Sequence, residues 1–405
     1  MSDVLMLSFW IWAVFFWIRG IDQDKYNYLT LSALLMTMAC LSKYFGMAVI
    51  PLLFFYSIFK KRGIGWWAVL FLIPVLVLGS YQWFTQILYG KGLLTNATDF
   101  PSVSTSAEYT GAVKGVIGLN FLGGCLIGSL FYLPFLWRRG YIILGVILFF
   151  ITSAFMAGFT TIGGYPIHDG DGPRWGVIIQ FSLFVFIGLH ILALAAADLW
   201  IRRDATSTLL AMWIVGTMIF ASYINWTINA RSILPMLPAA AILIIRRLEV
   251  KNKLNPVKMN LVWVLIPAAI LAVLVTWSDY SLAKCGREAA IMINKKYGGN
   301  AETIWYQGHW GFQYYMESFG TKHLFPGVRH KRDDIVITPE NVTWIMRPNP
   351  KKFIHLETIE LSSFKWLTTL HKSSAAGFYA DSIGPLPFAF GSIPLERYIV
   401  MRYAD

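Results

Sequence analysis

Charge is what this sequence has least of. Of its 405 residues, 14% are Asp, Glu, Lys or Arg, against about 25% in ordinary soluble domains. Hydrophobic residues make up 56% and the mean hydropathy is +0.55. That balance excludes a free-standing soluble protein and leaves an integral membrane protein. Cysteine is nearly as scarce. Cys40, Cys125 and Cys285 have neither metal nor redox spacing, which excludes a disulfide framework. No basic segment precedes the first apolar run, so a cleavable signal peptide is not expected. Nucleophile elbow, P-loop and dinucleotide fingerprint are all missing. The net charge of +12 would point a soluble protein toward nucleic acid. In a membrane chain the position of the charges matters more than their sum, and no nucleic-acid partner is expected.

What is present is a succession of apolar runs with seventeen tryptophans and nineteen tyrosines, the residues of membrane-interface belts. The runs are 4–18, 29–41, 45–59, 66–84, 116–136, 141–162, 176–200, 208–224, 233–245 and 261–277. The fold class expected is a polytopic α-helical membrane protein of about ten spans. Every second connection is basic: Arg19 with Lys25, Lys60 to Arg62, Arg138 with Arg139, Arg202 with Arg203, then Arg246 to Lys258. The intervening connections hold only five cations in all: Lys43, Lys91, Lys114, Arg174 and Arg231. The positive-inside rule therefore puts the N-terminus outside and the region after Trp277 outside as well.

That topology explains Lys43 in "ACLSKYFGMAVIPLLFFY". A lysine at the bilayer centre costs roughly 2.5–3.5 kcal/mol on insertion scales. Midway between two cytoplasmic basic clusters, it falls at an outer bend instead. There it either snorkels as an anchor or meets a lipid phosphate. Other polar groups belong to the same face. Asp3 opens the first span, as a helix cap or as a reactive carboxylate. The loop "YGKGLLTNATDFPSVSTSAEY" holds Asp99 and Glu108, and "GGYPIHDGDGPRWG" offers His168, Asp169, Asp171 and Arg174. "NWTINARSILPMLP" places Arg231 at the outer start of a span, where a guanidinium can anchor the helix or clamp a phosphate through paired donors. Carboxylates and cations gathered beside apolar helices suit a substrate with an acyl tail, a phosphate and a sugar. His190, inside a span, fits a packed core histidine better than a proton carrier. "NWT", "NAT" and "NVT" match the glycosylation pattern without a context that gives it meaning.

After Trp277 no run is long enough to span. Residues 278–405 read as a soluble α/β domain beside a membrane domain of residues 1–277. An amphipathic helix is expected over Ser281–Tyr297, strands in "ETIWYQG", "DDIVITP", "KFIHLETIEL" and "RYIVMRY", and a helix in "GFQYYMESFG". His309 and Trp310 lie just past a strand end, where α/β sheets place ligands. Acceptor recognition and a structural turn both fit them.

"SDVLMLSFWIWAVFFW", "ACLSKYFGMAVIPLLFFY" and "NARSILPMLPAAAILI" resemble successive blocks of membrane glycosyltransferases of the GT-C type. The nearest group is the bacterial relatives of the dolichyl-phosphate-mannose protein mannosyltransferases and the aminoarabinose transferase (glycosyltransferase family 39-like). "IWYQGHWGFQYYMESFG" and "AAGFYADSIGPLPF" resemble the tail of that group. The resemblance implies an inverting transfer of sugar from a polyprenyl-phosphate carrier to a lipid, glycan or protein acceptor, outside the bacterial cytoplasmic membrane. It implies Asp3 as a catalytic carboxylate and Lys43 and Arg231 as substrate-binding cations; the outer-loop residues Arg174, His168 and Asp169 join the expected substrate-binding set from the topology alone. No cofactor and no metal are expected. Family members usually carry about three further spans ahead of the "SDVLML" block, with an acidic outer loop between them. The chain is therefore expected to be an N-terminally truncated form with little transferase activity alone. The alternative is a non-catalytic membrane protein that binds a lipid-linked glycan or scaffolds a partner.

Overall fold

The computed structural model describes residues 2–96, 110–254, 262–299, 303–325, 327–342 and 352–404. Asp99, Glu108 and Lys258 lie outside the described residues. The chain divides into two compact units, Met1–Ile151 with Leu183–Asn260, and Thr152–Ser182 with Leu261–Asp405.

The first unit is helical. Helix α1 (Ser2–Gln23) buries Asp3, Met6, Trp10, Ala13 and Trp17 on one face, at the three- and four-residue intervals of a helical stripe. Asp24, in the left-handed region at φ 51°, turns the chain into α2 (Tyr26–Ser42), which runs back along α1. Ser32 Oγ donates to the Ala13 carbonyl at 2.6 Å across the pair. The hairpin returns the end of α2 to the start of α1, so residue 43 meets residue 3. At Lys43 the backbone is extended (φ −162°, ψ 139°) and a 3-10 turn, Tyr44–Ala48, leads into α3 (Val49–Lys61). A Cβ on Gly46 would stand 2.2 Å from the Ala39 carbonyl oxygen, so only glycine lets the chain fold back this closely.

Next come α4 (Leu72–Tyr89), entered through a 3-10 turn Trp66–Phe71, α5 (Gly111–Cys125), α6 (Arg139–Met156), α7 (Trp175–Arg202), α8 (Ala205–Ile219) and α9 (Leu237–Leu254). Helices α5 and α7 touch through glycines. A Cβ on Gly123 would meet the Phe184 carbonyl oxygen at 1.7 Å, and one on Gly188 the Leu119 carbonyl oxygen at 2.3 Å. Such small-residue crossings bring membrane helices to backbone contact.

The apolar runs expected to span are helical over most of their length, with the run 141–162 leaving the helix at Met156 and ending in the strand Thr161–Ile162, but the count needs correction. Among the described residues seven helices are long and apolar enough to cross a bilayer, or eight counting the pair Gly111–Cys125 and Ile127–Leu136, which bends by 69°. The expected ten included α2, which has 17 residues, and α9, whose second half carries Arg246, Arg247, Glu249 and Lys251. The protein is a multi-pass membrane protein with a sheet-containing C-terminal region.

The second unit is organised by α10 (Val262–Tyr297). The span 261–277 and the amphipathic helix 281–297 were expected as separate elements; they are one uninterrupted helix. The polar residues at the junction do not break it because the tail binds them. Ser278 Oγ donates to the Leu367 carbonyl at 2.6 Å, and Asp279 accepts from Thr369 Oγ1 at 2.8 Å. The four expected strands are formed, as β1 (Ile304–Tyr306), β3 (Ile335–Pro339), β4 (Phe353–Leu361) and β5 (Glu396–Tyr403), and a short strand that was not expected, β2 (Lys322–His323), joins them. They form one sheet in the order β2-β1-β3-β5-β4. The β1 pairings are parallel and the β5 pairings antiparallel, with a bulge at Val400/Met401. Helix α11 (Trp310–Ser318) and the end of α10 cover the sheet. Ala289, Ile293, Tyr306, Met316, Ile337 and Val400 form the core between them.

Candidate functional site

Asp3, Lys43 and Arg231 lie in the first unit. Asp3 sits in the first turn of α1, where the helix dipole favours a carboxylate. It is buried, and its carboxylate is closed on the Lys43 ammonium in a hydrogen-bonded ion pair. Such a pair in a low-dielectric setting holds only while both members are present.

The residue after Lys43 links this pair to Arg231. The Tyr44 hydroxyl donates to Asn225 Oδ1 at 2.8 Å, and it lies in the field of both the Arg231 guanidinium and the Asp3 carboxylate. Asn225 Nδ2 donates in turn to Ser232 Oγ and to the Thr227 carbonyl, each at 2.8 Å. Asn229 caps the short helix Ala230–Ile233 by accepting from Ser232 N at 3.0 Å. The Arg231 side chain is exposed at the head of this turn. Aromatic packing holds the linked segments together. Trp10 stacks on Phe45 at 5.5 Å, and Phe45 meets the edge of Phe220 at 4.3 Å. Phe220 opens the π-helical turn Phe220–Ile224 that ends α8, a distortion often found at functional sites.

Sequence reasoning missed Tyr44, Asn225, Asn229 and Ser232. Tyr44 stands beside a lysine already singled out, and Asn225 belongs to the "NWT" noted only for its glycosylation pattern. No local pattern pairs two residues so far apart in the chain.

The opposite ends of the same helices are basic. Lys60 pairs with Asp22 at 2.9 Å and Lys61 with Asp24 at 2.6 Å. Arg246 holds Asp198 at 3.0 Å and donates to Ser207 Oγ at 2.9 Å. His190 is buried and its Nδ1 accepts from Trp137 Nε1 at 2.9 Å, so the ring carries its proton on Nε2 as a packed core group.

His168, Asp169 and Arg174 belong to the second unit. Each is engaged within its own loop or with the tail. His168 Nε2 lies 2.9 Å from the Ala157 carbonyl oxygen, and Asp169 Oδ1 accepts from Asp171 N at 3.0 Å, an Asx turn. Arg174 donates to the Tyr165 hydroxyl at 2.8 Å, to the Pro166 carbonyl at 3.2 Å and to the Ser373 carbonyl. Among the described residues no group of three or more His, Cys, Asp or Glu side chains could hold a metal ion.

Comparison with known proteins bears on part of this arrangement. No curated protein matches the chain, and no solved structure does. A family model does match: residues 1–84 are similar to the dolichyl-phosphate-mannose-protein mannosyltransferases, membrane glycosyltransferases of the GT-C type. Asp3, Lys43 and Tyr44 lie within the segment similar to this family, and Asn225, Asn229, Arg231 and Ser232 lie outside it.

Proposed function

We propose that the first unit binds a polyprenyl-phosphate-linked sugar at Lys43 and Arg231, and that Asp3 serves transfer of the sugar to an acceptor hydroxyl. The observation that carries this reading is the Asp3–Lys43 ion pair joined through Tyr44 and Asn225 to the turn bearing Arg231. Two cations and one carboxylate at one end of an apolar helix bundle match what the reaction asks for. The acceptor O–H gives its proton to the Asp3 carboxylate as its oxygen bonds to the anomeric carbon. The bond from that carbon to the phosphate oxygen breaks, and its electron pair leaves with the polyprenyl phosphate. Lys43 and Arg231 take up the charge that develops there. The basic helix ends on the opposite side, at Lys60, Lys61 and Arg246, favour placing this site on the extracytoplasmic face of the membrane. The same charge pattern favours an extracytoplasmic C-terminal sheet region.

The closure of Asp3 on Lys43 also favours a second reading, binding of a lipid-linked glycan without transfer. One set of measurements separates the two. In the full chain in detergent, Lys43→Ala and Arg231→Ala should each weaken polyprenyl-phosphate affinity by tenfold or more. Asp3→Asn should retain that affinity within a few fold while abolishing release of the carrier from a polyprenyl-phosphate sugar. Binding with no release in the unsubstituted chain selects the second reading. Unchanged affinity in both cation variants overturns both.

A further inference from the structure

The second unit contains a groove that the proposed reaction does not use. Between Trp263 and Trp277, α10 exposes large apolar side chains, among them Trp263 (70%), Val273 (66%) and Trp277 (56%). Hydrocarbon is the surrounding in which such a continuous apolar face is stable. Trp277 and Tyr280, with ring centroids 5.7 Å apart, have the amphipathic rings that settle at headgroup level. Beyond them the helix carries Ser281, Lys284 and Glu288 in line with Leu274 and Trp277, at spacings of three and four residues. One helix face thus grades from apolar to charged where the helix leaves the apolar zone.

The segment Ser362–Leu367 closes over that face and leaves a cavity of about 660 Å³, a size that holds small-molecule ligands. This segment runs antiparallel to α10. Leu361 packs on the core that α10 joins through Ala289 and Ile293, and the Leu367 carbonyl accepts from Ser278 Oγ. Ser362 and Ser363 therefore lie toward the Lys284–Glu288 end, and Trp366 and Phe390 toward the Trp277 end. The cavity has two lysines against one glutamate. Lys284 is paired with Glu288 at 3.3 Å, whereas no ion-pair partner of Lys365 is found among the described residues.

We propose that this groove seats one anionic phospholipid of the surrounding bilayer. Its phosphate meets Lys365 and Lys284, with the serine hydroxyls as further donors. One acyl chain runs over Trp277 and Leu274 onto the exposed apolar face of α10. The occupant is anionic because the cavity carries excess positive charge, and it is a lipid because the apolar end continues into the membrane-facing stripe.

The test is native mass spectrometry of the full chain in detergent, titrated with phosphatidylglycerol, with phosphatidylcholine, and with inorganic phosphate as competitor. One phosphatidylglycerol per chain should survive activation that strips phosphatidylcholine. Lys365→Glu, which reverses the charge facing the anionic headgroup, should lower its affinity at least tenfold. Ser281→Trp, which fills the cavity, should eliminate retention while the thermal unfolding of the chain stays unchanged. Equal retention of both lipids, or wild-type retention of phosphatidylglycerol in the two variants, would overturn the proposal. So would release of the lipid by millimolar phosphate, which would mark a free-anion site. Polyprenyl-phosphate affinity measured on the same variants should be unaffected, which keeps this result separate from the Lys43 and Arg231 experiment.

Discussion

His371 and Glu396 carry opposed pH dependences that single substitutions should expose. Both are buried, at 5% and 4% exposure, with His371 Nε2 and Glu396 Oε1 3.9 Å apart and no hydrogen-bond partner for either atom among the described residues. Burial raises the Glu396 carboxyl from 4.5 to about 7, against the hydrogen bond it accepts from Asn341 Nδ2 at 2.9 Å. Burial lowers the His371 imidazole from 6.5 to about 4. A raised carboxyl pKa stabilises the fold fully below pH 4.5, and that contribution is lost as pH rises toward 7. A lowered imidazole pKa stabilises the fold above pH 6.5, and its contribution is lost as pH falls toward 4. Each displacement from the ordinary value corresponds to roughly 3 kcal/mol of folding free energy. Between pH 4.5 and 6.5 the two slopes have opposite sign and cancel. Glu396→Gln should leave the histidine slope alone, so stability rises by about 1.4 kcal/mol per pH unit across that window. His371→Asn should leave the carboxyl slope alone and reverse the sign. Hydrogen exchange at the β5 amides of the full chain, corrected for intrinsic rates, reads this directly as local opening free energy. A flat profile in Glu396→Gln, matching the unsubstituted chain, would refute the reasoning.

Three further outcomes follow from the helical unit. Lys43→Met should destabilise it by about 2–4 kcal/mol, since it strands the buried Asp3 carboxylate. Adding Asp3→Asn should recover at least half of that loss, and a thermal-unfolding double-mutant cycle without coupling would deny the pair. Gly123→Ala should cost about 2–3 kcal/mol because its Cβ would stand 1.7 Å from the Phe184 carbonyl oxygen. An unfolding temperature equal to that of the unsubstituted protein would show that the α5–α7 crossing relaxes freely. Asn225→Ala should release both Tyr44 and Ser232 and lower polyprenyl-phosphate affinity about tenfold, with a smaller effect on unfolding; unaltered affinity would remove Asn225 from the positioning of Arg231.

The bend at Lys43 was legible because a charge inside an apolar run, flanked by basic clusters, has few places to go. The sheet strands were legible from β-branched and aromatic runs between turn residues. Helix α10 was harder. Composition changes at Trp277, but helix continuity depends on backbone breakers, and none separates Pro267 from Gly286. Its polar junction is satisfied by Leu367 and Thr369, distant residues that no local window contains. The span count differs for a related reason. Helices α2 and α9 read as spans from apolar runs and basic flanks; α2 has only 17 residues, though it returns along α1 to bring Lys43 to Asp3, and α9 is charged through its second half. Arg174 read as a free cation of an outer loop because the tail carbonyl it binds lies far along the chain. The link from Tyr44 to Asn225 left no trace in the pattern for the same reason.

Polyprenyl-phosphate binding to the full chain and to its Lys43→Ala and Arg231→Ala variants, measured in one detergent at one ionic strength, tests the central claim most directly. The account predicts saturable binding by the unsubstituted chain and at least a tenfold loss in each variant. Affinity equal in all three would contradict it.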